Sequence, residues 1–114
     1  MTDETIFHVN SLDRSFQPYA AYFLNAARAA GIPAVVISGR RSATANREAG
    51  GAPRSLHLYG FAFDVGLLGY QVSDLPFSWW LAAGEFWEAL GGRCGGRFGQ
   101  PDVNHFDAGY SVRV

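Results

Sequence analysis

Two short stretches of this chain hold the residues that could do chemistry. Ser55-Leu56-His57-Leu58-Tyr59-Gly60-Phe61-Ala62-Phe63-Asp64 sets an imidazole and a carboxylate seven residues apart, with small and apolar residues between them. Asp102-Val103-Asn104-His105-Phe106-Asp107 adds a second histidine between two acids. Two imidazoles, one or two carboxylates and a spare acid are the parts of a catalytic zinc site. Such a site needs three protein ligands, one open position for water, and a base to take the water's proton.

A lone histidine in a turn is ordinarily structural. Asp64 is the larger anomaly, because it lies in an apolar stretch and a buried, unpaired carboxylate is costly. A metal would answer that cost. Gly60 lets the backbone double back between His57 and Asp64. His105 and Asp107 stand two apart on an expected strand and so share a face. Asp102 lies in a loop opened by Pro101 and could lean over a metal without binding it. His8 reads as a surface residue near an unanchored terminus. A further cluster, Ser38-Gly39-Arg40-Arg41-Ser42, follows a strand end, where an arginine could stabilise an oxyanion or hold a carboxylate. For Arg40 a helix-flanking surface charge is the simpler reading.

The elements that must position these groups follow from periodicity and punctuation. Ser15 to Ala30 reads as a helix, with Ser15 as cap, Pro18 in the first turn, and Tyr19, Tyr22, Phe23, Ala26 and Ala27 at helical spacing. Gly31 and Pro33 end it. Ala34-Val35-Val36-Ile37 is a buried strand. Ser42 caps a short helix to Ala49, and Gly50-Gly51-Ala52-Pro53 is a loop. Phe61 to Leu68 is a second strand, with Phe61, Phe63 and Val65 on one face and Ala62, Asp64 and Gly66 on the other. Asp74 or Ser73 caps a helix from about Pro76 to Leu90 whose aromatic stripe belongs to the core. The glycine-rich run Gly91 to Gly99 is a turn, bulge or hairpin. His105 to Asp107 and Tyr110 to Val114 read as closing strands. The class is α+β: a small, mostly antiparallel sheet with helices packed on one side.

At 114 residues the chain is expected to be a single domain, 1–114. It is 48% hydrophobic and 15% aromatic, which excludes a disordered chain. A net charge of −1 gives no reason to expect nucleic acid as a partner. All nine basic residues are arginine. With one cysteine, Cys94, no internal disulfide can form. That residue reads as a small buried hydrophobe; the sharper alternative is a nucleophile. Met1 to Asn10 lacks the basic and apolar regions of a signal peptide, and no window approaches a membrane span. Synthesis in the cytoplasm and a monomeric state are expected.

Four motifs then fall into order: Ser38-Gly39-Arg40-Arg41-Ser42, Asn46-Arg47-Glu48-Ala49-Gly50-Gly51-Ala52, Ser55-x-His57-x-x-Gly60-x-Ala62-x-Asp64, and Asp102-x-x-His105-Phe106-Asp107. Over about residues 12 to 110 the chain resembles the zinc D-Ala-D-Ala carboxypeptidase and L-alanyl-D-glutamate endopeptidase family. That family acts on bacterial cell-wall peptides, includes many phage endolysins, and has a hedgehog-like fold. The resemblance implies that His57, Asp64 and His105 hold zinc and that Asp102 is the general base. It implies that Arg41 stabilises the polarised carbonyl or grips a substrate carboxylate, and that Ser55 faces the substrate. Asp107 would orient an imidazole. The implied partner is a peptidoglycan stem peptide, reached at the cell wall after release through a separate pore. Arg40 stands where the family usually has an aromatic residue, and Cys94 where tryptophan is common. An aspartate base leans toward the endopeptidase branch, whereas Asn46 to Asp64 looks closer to the D-Ala-D-Ala type. Two other readings stay open: a non-catalytic, zinc-stabilised hedgehog-like binding module, and a metal-free glycan hydrolase using Asp64 and Asp102.

Overall fold

In the computed structural model, residues 2–109 are described. The strand expected at Tyr110 to Val114 lies outside them. The elements run α1 (Asp3–Ser11), α2 (Gln17–Ala29), β1 (Ala34–Ser38), α3 (Ala43–Glu48), β2 (Ala62–Leu67), α4 (Phe77–Ala89), β3 (Arg93–Cys94) and β4 (His105–Asp107). Single 3₁₀ turns stand at Leu56–Tyr59, Val72–Asp74 and Gly95–Arg97. The four strands form one antiparallel sheet in the order β1-β2-β4-β3, so the fold is α+β as expected.

The two faces of the sheet have separate tasks. Phe63 of β2 pairs with Phe106 of β4, and their rings stack with centroids 5.7 Å apart. Phe23 of α2 and Trp87 of α4 meet the Phe63 ring edge-on, Phe16 just ahead of α2 packs on it tilted, and Phe16 and Phe23 each meet Trp87 edge-on. This aromatic cluster is the core. Because side chains alternate along a strand, the neighbours Asp64, His105 and Asp107 project from the opposite face. Burial of the aromatic face therefore fixes the direction of the polar one, and a one-residue slip in register would exchange them.

Four local expectations need correction. The N-terminal stretch is anchored. Thr2 caps α1 by accepting from the Thr5 amide at 3.1 Å, Thr5 and Val9 are buried, and the Thr5 hydroxyl accepts from the Val36 amide of β1 at 3.0 Å. In α2 the buried stripe is Ala20, Phe23, Leu24 and Ala27, while Tyr19 and Tyr22 are exposed. Ser15 does not cap it; its hydroxyl donates to Asp13 at 2.6 Å. Asp74 does not cap α4 either, for its carboxylate accepts from the Gln71 amide in the 3₁₀ turn ahead, and Pro76 holds the cap position without a side-chain bond. Ser42 does cap α3, accepting from the Ala45 amide at 3.1 Å.

Gly60 ends the 3₁₀ turn that carries His57, at φ +78. A Cβ there would lie 2.6 Å from the Asp13 amide nitrogen. Gly60→Ala is expected to destabilise the fold by at least about 1–2 kcal/mol from the left-handed backbone alone. Urea unfolding should show a lower midpoint with an unchanged slope.

Candidate active site

His57 is set by three backbone-level contacts. Ser55 caps its turn and accepts from the His57 amide at 3.2 Å. The Arg41 amide donates to the His57 carbonyl at 2.9 Å. The ring Nδ1 lies 2.7 Å from the Gly39 carbonyl, an acceptor only, so Nδ1 carries the proton and Nε2 presents a lone pair. His105 is set by the opposite nitrogen. Its Nε2 lies 2.8 Å from Asp107 Oδ2 and donates to it, which leaves the Nδ1 lone pair facing inward. Asp64 completes the group, because the β2–β4 register places it directly opposite His105.

Three acceptors therefore converge. His57 Nε2 is 3.3 Å from His105 Nδ1, His57 Nε2 is 3.3 Å from Asp64 Oδ1, and His105 Nδ1 is 3.2 Å from the same oxygen. With metal–ligand bonds of about 2.0–2.1 Å, the edge of a tetrahedron around zinc is about 3.3–3.4 Å. The triangle has those dimensions, and the side chains are buried or nearly so. Lone pairs aimed at one another call for a cation between them. The electrostatics agree. Burial works against charge on His105, yet hydrogen bonds to Asp107 and Asp64 prevail and hold its pKa at about 9. Burial likewise opposes ionisation of Asp64, but the two histidines outweigh it and hold the carboxyl below the usual carboxylate range. An environment that favours a proton at this point also favours a metal cation.

The surrounding groups fix the orientation of the ligands. Arg41 donates from Nη2 to Asp64 Oδ2 at 2.7 Å and from Nε to the Ser38 hydroxyl at 3.1 Å. Ser38 pairs with Asp64 across β1 and β2, which brings Arg41 within reach. With Oδ2 committed to Arg41 and Oδ1 to the triangle, Asp64 has no oxygen left to act as a general acid. This argues against a two-carboxylate glycan hydrolase. Asp107 is saturated: Oδ1 accepts from Arg93 Nε and from the Gly109 amide, and Oδ2 from Arg93 Nη2 and His105. Arg93 was not among the residues singled out in the sequence. Its link to the site arises from the β3–β4 register, where it faces Asp107. Arg93→Ala should weaken metal affinity about 10–100-fold while the far side of the sheet keeps its packing; competitive chelator titration beside thermal unfolding would show this.

A cleft of about 600 Å³ opens over the triangle, and Arg41, Ser55, His57, Asp102, His105 and Asp107 all line it. Asp102 is exposed there. Its amide donates to the Gly95 carbonyl at 2.8 Å, and any Cβ at Gly95 would overlap the Asp102 carbonyl. Glycine at that position is what lets the loop sit against the turn after β3. Cys94 lies elsewhere, 2% exposed in the core, where burial pushes its thiol up and away from a reactive thiolate.

The family model of Peptidase M15 matches residues 3–79. The chain belongs to the Peptidase M15 family. The match contains His57 and Asp64 but ends ahead of Asp102 and His105; strand pairing sets His105 opposite Asp64, and Asp102 lies in the loop that leads into β4. Solved structures share the fold of this M15 chain. The Serratia marcescens L-Ala D-Glu endopeptidase ChiX superposes with a TM-score of 0.69 at 23% identity, covering 94% of this chain and 87% of that one. A mutant of the vancomycin-resistance D,D-pentapeptidase VanY from a VanB-type cassette, in complex with Zn(II), superposes with a TM-score of 0.63 at 18% identity, covering 84% and 71%. No curated protein is similar enough to count as a match. Family membership makes this chain a metallopeptidase.

Proposed function

We propose that this chain is a zinc-dependent peptidase that hydrolyses an amide bond in peptidoglycan stem peptides. The observation that carries the reading is the triangle of two imidazole lone pairs and one carboxylate oxygen with tetrahedral edge lengths. Borderline nitrogen ligands with one carboxylate suit zinc. Two solved structures of the same fold are named an L-Ala D-Glu endopeptidase and a vancomycin-resistance D,D-pentapeptidase, which supports the substrate class.

His57, Asp64 and His105 would hold the ion. Zinc held there supplies a Lewis acid that polarises a carbonyl and acidifies water toward pKa ~7. Asp102, on the wall of the same cleft and outside the ligand triangle, takes the proton of the attacking water and delivers it to the leaving amine. Arg41 keeps Asp64 in place through Nη2, and its remaining N–H groups are available to the developing oxyanion. Ser55 lines the cleft, and its hydroxyl also holds the turn of His57. Asp107 and Arg93 keep the His105 ring in register.

Digestion of purified peptidoglycan, followed by mass spectrometry of the new termini, tests the reading and identifies the bond. A new amine and carboxyl pair within the stem, abolished by chelator and restored by zinc, is the expected result. Intact stems after digestion with zinc-loaded protein would refute it. The setting we favour is phage-type lysis, supported by the aspartate at the base position. Expression in the cytoplasm should then be harmless until the membrane is permeabilised. Among the described residues no helix is long and apolar enough to cross a membrane.

A further inference from the structure

The cleft has a charge pattern that the metal site does not use. Its arginines are Arg41, Arg54 and Arg93. Arg41 is paired with Asp64 at 2.7 Å and Arg93 with Asp107 at 2.8 Å. Arg54 is exposed on the rim, and among the described residues it makes no ion pair and no side-chain hydrogen bond. Of the acids lining the cleft, Asp107 is already saturated and Asp102 is the group assigned to the water. Arg54 is therefore the one arginine lining the cleft that, among the described residues, no acid already holds.

Its position is well braced. The Asn46 side chain, buried under the rim, donates to the Ala52 carbonyl at 2.8 Å, and the Gly51 amide donates to the Asn46 carbonyl at 2.8 Å. The Ser55 amide closes the turn on Ala52 at 3.0 Å, and the Ser55 hydroxyl holds His57. The backbone that carries Arg54 is thus tied to α3 on one side and to a metal ligand on the other. A guanidinium presented from such a rim recognises a planar anion by paired, charge-assisted hydrogen bonds.

We propose that Arg54 selects substrates bearing a carboxylate beside the scissile amide, so that an acidic stem-peptide residue is read as an anion and its amidated form is discriminated against. The inference rests on the peptidase reading above and adds a specificity residue to it. The probes are synthetic stem peptides in matched pairs, each with one carboxylate either free or converted to its neutral amide. Wild type, Arg54→Ala and Arg54→Lys are compared by kcat and KM on each pair. Binding of the same peptides to zinc-loaded Asp102→Asn protein is measured by tryptophan fluorescence.

Wild type should prefer one free carboxylate over its amide by about tenfold or more in kcat/KM, carried by KM, as expected when a hydrogen bond to a charged group is lost. Arg54→Ala should bring that ratio close to one, and Arg54→Lys should restore part of it. Equal ratios in wild type and Arg54→Ala would overturn the proposal. So would a loss in Arg54→Ala that is the same for both members of every pair, because that is what a merely structural role predicts. The two readings fail separately. Turnover without carboxylate discrimination removes the role of Arg54 and leaves the peptidase. Carboxylate-selective binding that depends on Arg54, without turnover in wild type, keeps Arg54 and removes the peptidase.

Discussion

His57→Ala should leave the protein without stoichiometric zinc and reduce peptide hydrolysis to background. The substitution removes one of three acceptors spaced 3.2–3.3 Å apart, and an alanine offers no replacement donor. Asp64 and His105 alone leave a cation with two protein ligands, and Arg41 stays on the far oxygen of Asp64. The fold should persist, because the aromatic core of Phe16, Phe23, Phe63, Trp87 and Phe106 lies on the other face of the sheet. The Gly39 carbonyl, which His57 satisfies at 2.7 Å, would lose its partner, so a modest drop in stability of about 1–3 kcal/mol is expected. Equilibrium dialysis against zinc, beside circular dichroism of the refolded variant, decides the matter. One tightly bound equivalent of zinc in a folded His57→Ala protein would overturn the ligand assignment.

How much of this was legible in the sequence depended on how local each signal was. His57 and Asp64 lie within one turn-to-strand unit, and the glycine between them marked the reversal that joins them. The spacing of His105 and Asp107 on one strand places them on a shared face, and the family resemblance, not the spacing, makes Asp107 the partner of an imidazole. Arg93 was not legible, since its approach to Asp107 depends on the pairing of β3 with β4 across the loop that holds Asp102. α1 was missed because its buried contacts are made by Thr5 and Val9 among polar neighbours, and the decisive bond is a hydroxyl accepting from a strand amide. In α2 the stripe was rotated. Tyrosines gave a strong apolar signal and alanine a weak one, yet Ala20 is fully buried while Tyr22 is 56% exposed. The departure at Arg40 also has a physical account. Its Nε donates to the Ser11 carbonyl and its amide donates to the Ser11 hydroxyl oxygen, each at 3.0 Å, so an exposed arginine braces the end of α1 against the loop that carries Gly39.

Asp102→Asn should keep zinc and fold but lose turnover by about 10²-fold or more in kcat, the usual contribution of a positioned general base. The amide is nearly isosteric with the carboxylate, so the loop should remain where the Asp102 amide and Gly95 carbonyl fix it, at 2.8 Å. What changes is proton affinity: an asparagine side chain cannot accept a proton from water at neutral pH. Because Asp102 stands outside the triangle of metal donors, zinc stoichiometry should be unaffected, and KM should move far less than kcat. The combination separates catalysis from metal binding in a way that ligand substitutions cannot. It also separates an enzyme from a zinc-stabilised binding module, for which Asp102→Asn would be silent in every assay. Asp107 is the other carboxylate on the cleft wall, but Arg93, Gly109 and His105 already occupy its oxygens. Near-normal kcat in a zinc-replete Asp102→Asn protein would remove Asp102 as the base, and the proton would then have to pass through that saturated group.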